Sequence, residues 1–355
     1  MKGHRGIAGL LILAAFAVLP AAQTETVIPR PRGYVAVKAA AAPVIDGKLD
    51  DAAWSAAAWT EAFVDIEGDV KPKPALLTRA KMTWDDTYFY VGAALDEPAL
   101  WSDITAHDAV IFHENDFEVF IDPDGDSHAY YEFEINARGT FWDLFLPVPY
   151  RAGGKALDSW EIPGLKSAVA IDGTLNHPGD VDRGWTVELA FPWAVLGQQA
   201  NRPAPPRDGD QWRVNFSRVE WTTETAGSSY RAKAGVPEHN WVWSPQHVVD
   251  MHRPERWGYV QFSDKPAALV PDPSWPARQW LQAIYEAQRE FRRTRGRYAA
   301  TLGELELNVF MDFSLGRPQL WATPSLFEAS IETRVAGGPP VVWRIRQDAR
   351  VWSGQ

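Results

Sequence analysis

The chain has 355 residues, 46% of them hydrophobic, with a formal charge of −11 and no cysteine. It is long enough for one large domain plus an appendage, and it lacks the means for a disulfide framework, a thiolate nucleophile, a Cys-ligated metal or an acylated lipoprotein cysteine. Nucleic acid and anionic membrane surfaces are poor partners, since both require clustered Lys and Arg and here 46 acidic residues outnumber 35 basic ones.

The N-terminus carries Lys2, His4 and Arg5, an apolar run from Ile7 to Leu19, and then Pro20-Ala21-Ala22. This pattern predicts a cleaved secretory signal peptide over residues 1–22. The run is shorter than the roughly 20 residues a membrane-spanning helix needs. The mature protein is therefore expected to be secreted or periplasmic, with no membrane span after cleavage.

Residues 23–43 read as a lead-in strand or linker. From Pro43 the chain shows short period-two runs separated by Gly, Pro, Asn and Asp. They are Lys81–Trp84 and Tyr88–Val91 around a turn at Asp85-Asp86, then Phe117–Asp122, Tyr131–Asn136, Thr140–Leu146, Ala168–Ile171, Trp185–Phe191, Gln211–Glu220 and Gly258–Phe262. Many short strands with little helix predict an all-β fold, a two-sheet antiparallel β-sandwich over residues 27–264. Only short helical turns are expected, at Asp50–Trp54 and Pro192–Leu196. Four prolines between Lys265 and Pro276 predict a linker over 265–276. Trp280, Leu281, Ile284, Tyr285, Gln288 and Phe291 then fall at helical spacing, followed by Gly296 and three short apolar runs. Residues 277–355 are thus a small C-terminal α+β appendage, expected to dock its helix over a sheet edge and offering a surface for a protein partner.

Two runs carry the chemistry. In Asp116–Asp122, alternation sets Phe117, Val119 and Ile121 on one face and Asp116, Glu118 and Phe120 on the other. In Tyr131–Asn136 the polar face is Glu132, Glu134 and Asn136. Paired as a hairpin, the runs gather carboxylates, an amide and a phenyl ring on one face, a set suited to hydrogen-bonding sugar hydroxyls. A solvated outer face is the plainer alternative. In the connecting loop, Asp122, Asp124 and Asp126 alternate around Gly125, a hard-oxygen set that calcium takes, or a tight turn that uses Asp and Gly for their geometry. The 18 tryptophans fill sheet interiors, with some to spare for stacking on sugar rings.

At Val44–Trp54, Trp84–Val91, Asn115–Asp122, Gly184–Trp193, Trp212–Arg218, Trp243-Ser244-Pro245 and Pro254–Gly258 the chain resembles the family 9 carbohydrate-binding module. The resemblance implies a two-sheet sandwich that holds an oligo- or polysaccharide without cleaving it, supporting polysaccharide capture and catabolism, with structural calcium in many members. It also implies a pair of tryptophans clamping the sugar. Phe112 stands at the first clamp position, and the second falls near Met251, with Trp241 and Trp243 as substitutes. Glu118 matches the family's binding Glu, Glu134 replaces a binding Arg, and Arg218 holds a structural position paired with Glu188 or another carboxylate.

The binding face expected is therefore Phe112, Asp116, Glu118, Glu132, Glu134 and Asn136, with Trp241 and Trp243 as platforms. Two other readings stay open. One is a glycoside hydrolase using two of the glutamates, disfavoured because an open sheet face does not shield an acid. The other is a haem-binding or protein-partner sandwich drawing on Met82, Met251, His107, His113, His247 or His252.

Overall fold

The computed structural model describes residues 29–305, 307, 315–334 and 338–354. The signal peptide expected over 1–22 lies outside them. In chain order the strands of the main body are β1 (Gly33–Val37), β2 (Val64–Asp65), β3 (Thr78–Trp84), β4 (Tyr88–Asp96), β5 (Asp116–Asp122), β6 (Tyr130–Asn136), β7 (Phe141–Leu146), β8 (Lys166–Asp172), β9 (Gly184–Pro192) and β10 (Gln211–Glu220). After these come a small hairpin, β11 (Thr223–Ala226) with β12 (Ser229–Ala232), and then β13 (His239–Val242) and β14 (Gly258–Ser263). Two short helices, α1 (Ala52–Ala56) and α2 (Trp193–Leu196), stand where helical turns were expected.

One sheet runs β1-β14-β10-β5-β6-β7, with β13 and β2 continuing beside β10, and the other runs β3-β4-β9-β8. Their facing sides make the main core. Phe117, Val119, Ile121 and Phe133 meet Val91, Ala93, Val187 and Leu189 there, all essentially excluded from water. The tryptophans account for much of its volume: Trp193 meets Trp212 edge to face at 5.4 Å, and Trp84 packs against both Trp193 and Phe262. Edge-to-face geometry is the preferred packing of such rings. The lead-in segment is a true strand: β1 pairs in parallel with β14, while Trp84 Nε1 donates to Ala36 O at 2.9 Å.

The appendage is a domain in miniature. Helix α3 (Trp275–Arg295) ends at Gly296, whose φ of +72° closes the helix in the left-handed region. It lies on an antiparallel meander of β15 (Gln319–Ala322), β16 (Phe327–Thr333), β17 (Val341–Arg346) and β18 (Val351–Gly354). Leu281, Ile284 and Tyr285 share a separate core with Phe327, Ala329, Ile331 and Ile345. The helix therefore buries its apolar stripe on its own sheet, not over an edge of the sandwich. It also begins at Trp275, inside the stretch expected as linker, because Pro276 suits a first helical turn, where its missing N–H costs nothing. No helix among the described residues is long and apolar enough to cross a membrane.

Candidate functional site

The alternation of β5 and β6 becomes a hairpin with Glu118 opposite Glu134, Phe120 opposite Glu132, and Asp116 opposite Asn136. β7 adds Trp142 beside Glu134 and Leu144 beside Glu132, and β10 adds Ser217 beside Glu118. Two rows thus cross the outer face of the large sheet: Ser217–Glu118–Glu134–Trp142, and Asn215–Phe120–Glu132–Leu144.

This face is not open to solvent. Glu118 and Glu132 are each 5% exposed and Glu134 is 1% exposed. Three segments wall them in: the turn Val110–Phe112, Tyr150 beyond β7, and the stretch from Glu238 to His252, which brings in Asn240, Val249, Asp250 and Met251. Together they enclose a cleft of about 500 Å³. Its floor rests on a small second core of Phe120, Tyr130, Leu144, Leu146 and Trp257. Trp257 Nε1 donates to Met251 O at 2.9 Å and pins that wall. Tyr130 Oη lies 3.0 Å from His252 Nδ1, and Tyr150 stands edge-on to the same imidazole at 4.4 Å. Phe112 and Tyr150, 39% and 44% exposed, are the accessible aromatics of the cleft.

Burial sets the electrostatics. It pushes the Glu118 carboxyl up to about 7. It also raises Glu132 and Glu134 well above the usual carboxylate range, with the neighbouring Glu118 charge adding to the shift. His252 moves the other way, to about 4, because desolvation disfavours its cation. The expectation of unshielded acids is thereby corrected, since the covering segments come from distant parts of the chain. Among the described residues, Glu118 Oε2, Glu132 Oε2 and Trp142 Nε1 are buried without a hydrogen-bond partner. A ligand or an ordered water is one way to complete such groups, and three of them come together in this cleft.

Four of the expected binding residues, Phe112, Glu118, Glu132 and Glu134, meet in this cleft, and Met251 joins them. Asp116 and Asn136 lie on the same face but outside its lining. Asp116 Oδ1 accepts from Val219 N at 3.1 Å, and Asn136 Nδ2 donates to Glu114 Oε1 at 2.7 Å and to Ile104 O at 3.0 Å. These two residues organise backbone. Trp241 and Trp243 are no platforms: they are 5% and 0% exposed and belong to the sandwich core. Trp243 packs against Phe216 and over Gly258, where any side chain would clash with the indole. Trp241 covers the Arg218 guanidinium. Arg218 itself pairs with Glu97 at 2.9 Å and Glu220 at 2.8 Å. Glu188 instead accepts from the indole of Trp54 and the amides of Asp46 and Gly47.

Tyr150, Trp142, Glu238, Asn240 and Asp250 are cleft residues that the sequence did not reveal. Trp142 follows the alternation of β7 and was available from its pattern. The others sit in irregular segments or a four-residue strand, where no periodicity signals a face. Of the residues considered for haem, Met251 and His252 reach the cleft while Met82 is buried between the sheets.

The acidic turn after β5 is a separate place. Asp122, Asp124 and Asp126 bring one oxygen each within 4.8 Å of one another. All six oxygens already accept a hydrogen bond. Asp122 takes the amides of Gly125 and Ser127, Asp124 takes Asp126 N and Asn201 Nδ2, and Asp126 takes His128 N and Arg350 Nε. Arg278 donates to the Gly125 carbonyl. The three aspartates have the hard oxygen donors a calcium ion takes, and Arg350 stands beside one of them, on Asp126 Oδ2.

Residues 45–144 match the carbohydrate family 9 binding domain-like family. Phe112, the three glutamates and Trp142 all fall inside that stretch. The chain is 28% identical over 216 residues to Exoglucanase XynX of Acetivibrio thermocellus, an alignment covering 59% of this chain and 17% of that protein. It thus spans under a fifth of that curated relative. Among solved structures it is similar to a carbohydrate-binding module family 9 from Caldicellulosiruptor kristjanssonii in complex with cellotriose, at 15% identity and a TM-score of 0.43, covering 68% of this chain and 99% of that one. A putative carbohydrate-binding protein from Bacteroides uniformis is similar at 16% identity and a TM-score of 0.47, covering 66% of this chain and all of the other.

Proposed function

We propose that this chain, whose residues 45–144 form a carbohydrate family 9 binding domain-like segment, is an exported protein that holds a saccharide in the β5–β7 cleft without cleaving it, in support of polysaccharide capture. One observation carries the reading. Within the family-matched stretch, an accessible ring (Phe112) lines the same cleft of about 500 Å³ as Glu118 and Glu132, each with one buried oxygen that no described residue satisfies. Pockets of about 300–1,000 Å³ with a few convergent polar groups are the usual form of small-molecule sites. Sugar hydroxyls can satisfy both the carboxylate acceptors and the Trp142 N–H donor.

The test is a glycan-array and pull-down screen of the mature protein, with reducing-sugar release assayed on every hit. Binding without release is expected. The double variant Phe112→Ala with Glu118→Gln should abolish binding while circular dichroism stays unchanged; unaltered affinity would move the site elsewhere.

A glycoside hydrolase is the second reading, and the Glu118 carboxyl held near 7 favours it, since a protonated acid at neutral pH is what glycosidic bond cleavage requires. Release of reducing sugar that disappears in Glu118→Gln would establish it.

A further inference from the structure

We propose that the guest of the cleft is a saccharide bearing a free primary amine, its ammonium seated on Glu118 and Glu132 and its ring against Phe112 and Tyr150. The proposal rests on the saccharide-binding reading above and names the class of sugar.

The argument is one of acids without a counter-ion: burial holds the Glu118, Glu132 and Glu134 carboxyls toward their protonated form, and a cationic guest is what would let them ionise. Glu118, Glu132 and Glu134 occupy neighbouring positions on one sheet face, two of them directly across the ladder, where like charges repel. Glu238 adds a further carboxylate to the lining, Asp250 at its edge is already paired with Arg253 at 3.1 Å, and no lysine or arginine is among the lining residues themselves. The imidazole of His252, with Nε2 4.0 Å from Glu132 Oε1, brings no positive charge at neutral pH because burial keeps it neutral. Side chains that are nine-tenths buried, with an oxygen that no described residue satisfies, are costly unless something pairs them. A neutral sugar hydroxyl donates one hydrogen bond and carries no charge. An ammonium supplies three donors and the missing charge together, and charge-assisted hydrogen bonds are the stronger kind. The walls suit the same guest, because the faces of Phe112, Tyr150, Phe120 and Trp142 attract a cation as well as an apolar ring face.

Isothermal titration of the full-length protein with a glucosamine trisaccharide, its N-acetylated counterpart, cellotriose and spermidine separates the outcomes. Near pH 6.5 the glucosamine trisaccharide should bind at least about tenfold tighter than the other three, a difference of one decade in Kd. Seating the ammonium must expel a proton that burial holds on these carboxyls, so moving to about pH 5 should weaken its binding roughly tenfold, while the neutral sugars hold their affinity. Glu118→Gln and Glu132→Gln should each erase the preference for the amine without lowering the unfolding temperature. Cellotriose or the acetylated sugar binding as tightly as the amine overturns the amine assignment and leaves saccharide binding standing. Spermidine binding as tightly removes the sugar from the proposal. Silence from all four overturns this inference, while the glycan-array screen decides the saccharide-binding reading separately.

Discussion

Two clefts of similar size and opposite charge lie on this molecule. The first is the glutamate cleft of the sandwich. The second, about 610 Å³, lies where the sandwich meets helix α3 and is lined by Arg151, Arg289, Arg292 and Arg293 with Tyr285, Tyr298 and Asp348. In the second, three of the four arginines are paired with carboxylates from within the chain and the fourth is held by a phenol. Arg151 pairs with Glu255 at 2.8 Å, Arg289 with Glu286 at 3.1 Å and Arg293 with Glu290 at 2.6 Å, while Arg292 donates to Tyr298 Oη at 2.8 Å. In the first, Glu118, Glu132 and Glu134 have no basic partner among the lining residues, and only Asp250 at the rim is paired, with Arg253 at 3.1 Å. A charged cleft whose partners are internal is a seam between folded units, and one whose acidic groups lack basic partners is the candidate site. The number of charges does not separate the two; their pairing does.

The sharpest way to break this contrast is to remove a partner on the seam side. Arg151 is almost wholly buried and joins Glu255, the His252 carbonyl and the Tyr285 ring, so it ties the sandwich to α3. Arg151→Ala leaves the buried Glu255 with only the longer Arg253 pair at 3.6 Å, and removing one partner of a buried pair costs about 3 kcal/mol. Urea unfolding followed by tryptophan fluorescence should show that loss. A change under about 1 kcal/mol would mean the pairing contributes little, as for exposed ion pairs, and would erase the distinction drawn between the clefts.

On the glutamate side the expected effect has the opposite sign. The folded carboxyl of Glu118 sits near 7, above its ordinary value of 4.5. A group raised on folding contributes stability that is complete below its unfolded pKa and is lost as pH climbs through its folded pKa. Stability should therefore fall between about pH 4.5 and 7, by up to about 3 kcal/mol at 1.36 kcal/mol per unit. Glu118→Gln should flatten that window and leave the protein equal to or more stable than the parent at neutral pH. If Glu118→Gln is destabilised there instead, the carboxylate has an internal partner, and the cleft is another seam.

The contrast also shows what a sequence can and cannot disclose. Alternation along Asp116–Asp122 and Tyr131–Asn136 was enough to put Glu118, Glu132 and Glu134 on one face, because pleat geometry is local and the turn between the strands fixes the register. Whether that face was wet was not legible. Its cover comes from Tyr150 and from residues 238–252, over a hundred residues from Glu118 in the latter case, and it is held by contacts such as Trp257 to Met251 and Tyr130 to His252. Trp241 and Trp243 misled for a related reason. Trp241 is on a strand only four residues long and Trp243 lies just past its end, so no period distinguishes a platform from a core ring. The helix of the appendage was plain from its spacing, but the sheet it covers lies in sequence after it, and pattern alone does not say which apolar surface a stripe will choose.

Smaller effects sharpen the reading at the rim. Phe112 and Tyr150 are exposed, so trimming either leaves no cavity in the core. Phe112→Ala and Tyr150→Ala should each weaken saccharide binding by about 1 kcal/mol, roughly fivefold, with thermal unfolding unchanged. Titration calorimetry on any saccharide hit reads this directly. An effect confined to Phe112 would limit stacking to one wall of the cleft.

The smallest expected effect is at the acidic turn, which has the donor type for calcium but the pairing of a seam. Arg350 answers Asp126 at 2.9 Å, and its side chain is 41% exposed, so Arg350→Ala should cost no more than about 1 kcal/mol. For the same reason, a chelator should leave the unfolding temperature of the intact protein where it was, because the six carboxylate oxygens of Asp122, Asp124 and Asp126 already have donors. The informative experiment combines the two. Arg350→Ala frees one oxygen of Asp126 and removes a positive charge beside three aspartates, which is the arrangement a hard cation requires. If added calcium restores the lost stability in that variant and does nothing to the parent, the arginine occupies the place of a metal. If calcium raises the unfolding temperature of the parent, with a chelator reversing it, the cation outcompetes Arg350 and the turn is a calcium site, with charge pairing as its resting form.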